Sequence, residues 1–293
     1  MASASAAEVK RRLMECLREL HLPTFCEGFE ALAQRAVQES LSYERYLGEL
    51  AEQECEARRT NRIDRWLRES DLPVEKSLAR FDMKRLPEKV ARQAKTLLDG
   101  AFVDARENVL AFGRSGSGKT HLLCGIAQEL VRSGRKVLFS PCSLLVQDLL
   151  IAKRDLRLSR HLKRLSRYEV MIIDDLGYVQ QSREEMEVLF TLLAERYERG
   201  SVMITSNLPF SKWESIFKDP MTTAAAIDRL VHHSVILELN VLSYRLEQAQ
   251  RGQQTPEEPA LADPSLNADS DRPNGRSRSA KKPRKRREVR REL

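Results

Sequence analysis

The sequence predicts an α/β fold: a five-stranded parallel sheet with helices on both faces, preceded by a small all-α domain and followed by a disordered basic tail. Three observations carry this expectation. Short apolar runs at 108–112, 136–140, 169–174, 201–206 and 235–239 alternate with helix-period stretches, as strands buried on both faces require. The first run leads into Gly113-Arg114-Ser115-Gly116-Ser117-Gly118-Lys119-Thr120, a full G-x-x-x-x-G-K-[ST] spacing set between a strand and a helix. Beyond residue 251 the composition collapses into Gln, Pro, Glu, Ala, Asp and Ser and then into a run of Lys and Arg.

Taken in order, the chain opens with a helical domain, 1–71. Val9, Leu13, Leu17 and Leu20 share one helical face, Pro23 interrupts, and Phe25, Phe29, Leu32 and Ala36 repeat the pattern. Ser42 is suited to cap a third, longer helix that carries Tyr43, Tyr46, Leu47 and Leu50. The end of that helix presents Arg58, Arg59, Arg62, Arg65 and Arg68 against one acid, Asp64, with Ile63, Trp66 and Leu67 as its apolar side. Two readings stand for these arginines: a grip on nucleic-acid phosphates, or a solvated face paired with the glutamates of 44–56. Leu72-Pro73 ends the domain, and a connecting segment, 72–106, follows. Within it Arg80-Phe81-Asp82 either packs beside a nucleotide or fills a hydrophobic seam. Residues 107–251 form the α/β domain, with helices expected at 121–131, 143–156, 183–198 and 224–233. Residues 252–293 are the linker and tail.

Charge and cysteines bound the rest. The net charge of +7 is a property of the tail, because 276–293 holds ten Lys/Arg and two Glu, leaving the remainder at −1. Five cysteines (16, 26, 55, 124, 142) are scattered without a C-x-x-C pair, which fits reduced thiols of a cytoplasmic protein and no zinc site. No apolar run approaches a bilayer span and residues 1–8 contain no signal-peptide core, so no membrane association is expected.

The glycine-rich stretch carries the chemistry. Glycines 113, 116 and 118 let successive N–H groups turn toward phosphate oxygens, and the following helix adds its positive end. Lys119 is expected at the β/γ-phosphates and Thr120 on Mg²⁺; the nucleotide-binding stretch runs from Gly113 to His121. Asp174, ending a buried apolar strand, is expected to hold the metal through water, and Asp175 to orient or deprotonate the attacking water. Asn207, at the end of the next strand, either positions water against the γ-phosphate or starts a turn before Pro209. Arg229 and Arg245 are candidates to neutralise phosphate charge, in cis or in trans. His232-His233 offers no metal site on this reading, since neighbours on a helix do not share a face.

These residues also carry a resemblance. Arg62-Ile63-Asp64-Arg65, Leu78-Ala79-Arg80-Phe81-Asp82, Ile172-Ile173-Asp174-Asp175-Leu176-Gly177-Tyr178, Arg196-Tyr197-Glu198, Ile204-Thr205-Ser206-Asn207-Leu208-Pro209-Phe210, Trp213-Glu214-Ser215-Ile216-Phe217, Asp228-Arg229-Leu230-Val231-His232-His233 and Ser243-Tyr244-Arg245 match. With the P-loop, they make the chain resemble an IstB-type ATPase, the helper of transposition in bacterial insertion elements. It is similar also to the DnaC-type helicase loaders of the AAA+ class. The resemblance spans residues 10 to 247. It implies an AAA+ P-loop NTPase fold, ATP as nucleotide with Mg²⁺, an ATP-dependent homo-oligomer around duplex DNA, and a transposase of the IstA type as partner. It implies Asn207 as sensor 1, Arg229 as a trans-acting arginine finger and Arg245 as sensor 2, and favours DNA contact by the arginines of 58–68. One departure is Asp175, where many AAA+ proteins carry Glu; its reach is one methylene shorter. The tail exceeds the family core and nothing is inferred for it. The rival expectations are a helicase loader and an ATP-binding DNA adaptor without turnover.

Overall fold

Alternation within each apolar run sends its side chains into two separate cores, one on either face of the sheet. The computed structural model describes residues 5–177, 182–217, 220–241 and 243–244; the expected linker and tail, 252–293, and Arg245 lie outside them. Helices α1 (Ala6–Glu19), α2 (Pro23–Gln38) and α3 (Tyr43–Glu69) come first, then α4 (Glu88–Leu97) and the short α5 (Ala101–Asp104). β1 (Asn108–Phe112), α6 (Lys119–Arg132), β2 (Val137–Pro141), α7 (Cys142–Arg154), α8 (Leu158–Leu165) and β3 (Val170–Leu176) follow. α9 (Arg183–Arg196), β4 (Ser201–Ser206), α10 (Glu214–Phe217), α11 (Pro220–Val231) and β5 (Ser234–Glu238) complete the order. The strands pair in parallel as β2-β3-β4-β1-β5. Val109, Ala111, Val170, Ile172 and Met203 join the core under α4 and α6; Leu110, Met171, Ile173, Val202 and Ile204 join the core under α7, α9 and α11. Among the described residues, no helix is long and apolar enough to cross a membrane.

Several boundaries differ from the sequence expectation. The connecting segment contains α4, whose Val90, Ala94 and Leu97 are buried at helical spacing. α8 was not expected; Leu158, Leu162 and Leu165 seat it on the second core while its other positions are polar or charged. α11 begins at Pro220 and ends at Val231, so His232 and His233 fall in the turn beyond it.

Three polar knots fix the frame. Arg196 is buried, and its guanidinium donates to the carbonyls of Leu165 (3.3 Å), Tyr168 (3.1 Å), Glu169 (3.1 Å) and Ser201 (3.0 Å). It thereby ties the end of α8 to the starts of β3 and β4, and burial lowers its pKa to about 10. A Cβ at Gly200 would stand 2.6 Å from that guanidinium, which is why a glycine follows. At the sheet edge, Phe139 N–H donates to Ser70 O at 2.7 Å, so the exit of α3 is stitched to β2, and Trp66 and Leu67 pack on the first core. The third knot is Glu54. Leu22, at the N-cap of α2, cannot cap with its side chain, and the buried Glu54 of α3 accepts from Thr24 N–H at 2.9 Å instead.

Glu54 also accepts from Arg58 Nε at 2.7 Å. Burial pushes its pKa up, but the bonds from Arg58 and Thr24 outweigh burial, and the net pKa is lowered. A lowered carboxylate pKa means stability that is full above the unfolded-state value and is lost as pH falls through the folded one. We expect Glu54→Ala to cost about 1–2 kcal/mol at neutral pH, the scale of a lost helix cap, and the deficit to shrink in acid. Urea unfolding at several pH values measures this; a pH-independent deficit would contradict the assignment.

Candidate nucleotide site

The loop after β1 and the C-terminal ends of β3 and β4 enclose a cavity of about 580 Å³. Its lining includes Ser115 to His121, Asp175, Asn207, Phe81, Arg85 and Tyr244. Residues expected from three separate motifs, more than ninety positions apart in the chain, therefore meet in one place. Two glycines are dictated by close approach. Gly116 has φ +79° and a Cβ there would lie 2.1 Å from Ser243 Oγ; Gly118 has φ +92° and a Cβ would press on the Phe81 ring at 3.0 Å. Both expectations for Arg80-Phe81-Asp82 meet here: Phe81 packs against the first core and also walls the cavity, stacked edge-on to His121 with centroids 5.2 Å apart. His121 lines the cavity too, but its Nε2 is paired with Ser77 O at 2.9 Å. Gly113 and Arg114 do not line it; their carbonyls accept from Lys119 Nζ at 2.9 and 3.0 Å.

The acids are sorted by strand geometry. Because β4 lies between β1 and β3, Thr205 stands beside Asp174 on one side and Ala111 on the other. Asp174 is 8% exposed, and its Oδ1 accepts from Thr120 Oγ1 at 2.8 Å and from Thr205 Oγ1 at 2.6 Å. Thr205 Oγ1 accepts in turn from Asp175 N–H at 2.8 Å. The register of β3 on β4 shifts between Ile173 and Leu176, and Asp175 takes φ +59°. That bulge turns Asp175 outward to the cavity while Asp174 stays inside, next to Thr120. The strand-end pattern exposed both acids to sequence reading, but the role of Thr205 was missed; the same Ile-Thr-Ser-Asn stretch holds it, two residues before Asn207.

The cavity fits a nucleoside triphosphate with a divalent ion. The glycines open the space a Cβ would fill, Ser117 Oγ is buried without a hydrogen-bond partner among the described residues, and the Thr120 hydroxyl is paired with the Asp174 carboxylate as a divalent-ion site would require. After β5 the chain returns over this loop: Tyr244 N–H donates to Gly116 O at 3.0 Å, and Arg85 lies 5.0 Å over the Tyr244 ring.

Arg229 lies elsewhere. It is absent from the cavity lining; its guanidinium sits 4.9 Å over Phe190 and donates to Ala225 O at 3.3 Å. On α3, Arg58, Arg62 and Arg65 follow one helical stripe, yet each has a partner. Arg58 bonds Glu54 and His21 O, Arg62 stacks on Trp66, and Arg65 pairs with Glu69. Arg59 pairs with Glu56, and Arg68 donates to Asp64 O. A second basic surface had escaped notice. Residues 153–167 carry seven Lys/Arg and one acid, and Arg157, Arg160, Lys163, Arg164 and Arg167 border an open depression of about 760 Å³. The i, i+3, i+4 spacing of its cations was the available signal.

Thr205 offers a direct check of this geometry. Thr205→Val keeps the shape and removes both hydroxyl bonds, and Thr205→Ser keeps them. We expect Mg²⁺-dependent affinity for an ATP analogue to fall by about tenfold in the valine variant, the scale of a bond to a charged group, and to return in the serine variant. Equal affinities in a fluorescence titration would contradict it.

Comparison with known proteins follows the same lines. The family model of the IstB-like ATP binding protein matches residues 15–252. An insertion-sequence ATP-binding protein of Sinorhizobium fredii is 40% identical over 239 residues, covering 81% of this chain and 80% of the relative. The IS21 ATP-binding protein of Pseudomonas aeruginosa is 36% identical, covering 76% and 84%. Among solved structures, a DNA replication initiation factor aligns with a TM-score of 0.51 at 15% identity, over 63% of this chain and 56% of its own. AMPPCP-bound DnaA from Aquifex aeolicus gives 0.50 at 14% identity over the same shares. At such identity the structures establish the fold alone, an AAA+ P-loop core. The chain belongs to the family of IstB-like ATP binding proteins.

Proposed function

We propose that this protein is a transposition helper ATPase that assembles on duplex DNA and delivers the target to a transposase of the IstA type. The observation that carries the reading is the meeting of Lys119, Thr120, Asp174, Asp175 and Asn207 around one cavity, in a chain whose relatives are named as insertion-sequence ATP-binding proteins. Ser115 to His121 receive the phosphates, Lys119 leaving the carbonyls of Gly113 and Arg114 for the β/γ-oxygens. Thr120 and Asp174 would hold Mg²⁺, which when bound neutralises phosphate charge. Asp175 accepts a proton from the attacking water, and Asn207 orients that water. The separation of Arg229 from its own cavity supports a trans role, in which its guanidinium completes the site of a neighbouring subunit and makes hydrolysis depend on assembly. Arg245, which lies outside the described residues, keeps in this reading its expected role as sensor 2.

In this reading residues 107–251 are the catalytic domain and 1–71 engage DNA or the partner. The exposed cations of 157–167 that border the open depression supply a further phosphate-binding surface beside the arginines of α3. The protein works in the cytoplasm.

Asp175→Asn preserves shape and removes the charged oxygen that takes the proton. ATP binding should persist while turnover falls by about a hundredfold or more, the scale of general-base loss, and DNA-bound protein should accumulate. Normal turnover in that variant would place the base elsewhere and overturn this mechanism.

A further inference from the structure

We propose that Glu198, His232 and His233 form a binding site for a divalent transition-metal ion of the zinc class, separate from the nucleotide site. The sequence argument against it assumed that both histidines lie on a helix. They lie instead in the turn after α11, with ring centroids 4.2 Å apart and ring planes at 64°. Glu198, from the loop between α9 and β4, joins them, so that one donor atom from each residue lies within 4.8 Å of the others. Among the described residues this is the one such cluster of three. Bonds of about 2.0–2.1 Å to zinc place tetrahedral donors about 3.3 Å apart. All three side chains are exposed, so rotation about their own bonds can close that gap without moving the backbone.

The backbone that carries them is held in place. Glu198 sits at φ +56°, and its carbonyl accepts from Arg106 at 2.5 Å. His233 O accepts from Asn108 N–H at 2.8 Å. The Asn108 side chain, at the foot of β1 between β4 and β5, donates to Leu230 O at 3.1 Å and accepts from Val202 N–H at 2.9 Å. Residues 106 and 108 thus pin both donor-bearing loops. Tyr197 Oη lies 3.3 Å from His232 Nδ1, which orients that ring and leaves its other nitrogen available, the arrangement that outer-shell partners give metal-bound imidazoles. Two imidazoles and one carboxylate suit zinc, nickel or cobalt rather than Mg²⁺, and leave a position for water. The cluster lies where β4 and β5 begin, whereas the nucleotide cavity lies where they end, so the two ions do not share ligands.

The test uses the full, untagged chain freed of metal, titrated with Zn²⁺ by calorimetry and with Co²⁺ by visible absorption. One ion should bind per chain through a spectrum without the thiolate-to-cobalt band, and a large excess of Mg²⁺ should not displace it. Glu198→Gln and His233→Ala should each weaken binding by at least about tenfold, and Tyr197→Phe by about tenfold, the scale of an outer-shell loss. The positions are exposed, so the variants should remain folded, as circular dichroism would confirm. Absence of saturable binding, unchanged binding in the His232→Ala/His233→Ala double variant, displacement by Mg²⁺, or a thiolate band assigning the ion to the cysteines would each overturn the proposal.

Discussion

The centre of this molecule depends on satisfying one buried carboxylate. Asp174 sits at the end of a strand packed on both faces, where an unpaired charge would cost several kcal/mol. Two hydroxyls on its Oδ1, from Thr120 and Thr205, make the position tenable. They come from different elements, and only the order β3-β4-β1 brings them to the same oxygen. Thr205 then spends its remaining capacity on Asp175 N–H, which holds the bulge that aims the second acid into the cavity. Sheet topology, the Thr120–Asp174 pair and the outward turn of Asp175 are therefore one arrangement rather than three.

The two ends of the sheet do different work. At the C-terminal ends, glycines and a bulge bring backbone close to where phosphates belong, and the strap at Tyr244 covers them. At the N-terminal ends, Arg196 and Asn108 bind loop carbonyls and make a rigid base. α11 begins near the former and ends in the histidine turn at the latter. The Arg229 guanidinium on that helix is held over Phe190 and takes no part in lining the cavity.

Strands and P-loop were legible because their signals are local: an apolar run, a glycine spacing, an acid at a strand end. Ser42 capping α3 and the Ser182–Glu185 box at α9 are local in the same sense. What escaped was set by contacts between distant segments. Thr205 reads as one polar residue in a strand until β4 is known to lie between β1 and β3. Glu54 reads as one of many glutamates, although it caps another helix thirty residues away. The histidine pair was expected on a helix, but α11 stops two residues earlier than its periodicity suggested and both lie in the turn beyond it. Arg196 lies in one of the stretches that carry the resemblance, and its partners are four carbonyls, so frame rather than chemistry accounts for it.

The central claim is that occupancy of this cavity by ATP governs assembly on duplex DNA. Sedimentation of the chain with a long duplex, in the presence of a slowly hydrolysed ATP analogue, ADP or no nucleotide, tests it most directly. The account predicts large DNA-bound assemblies with the ATP analogue alone, and none in Lys119→Ala under any condition, because that variant removes the cation that receives the γ-phosphate. Assemblies of equal size with ADP, or undiminished in Lys119→Ala, would contradict it.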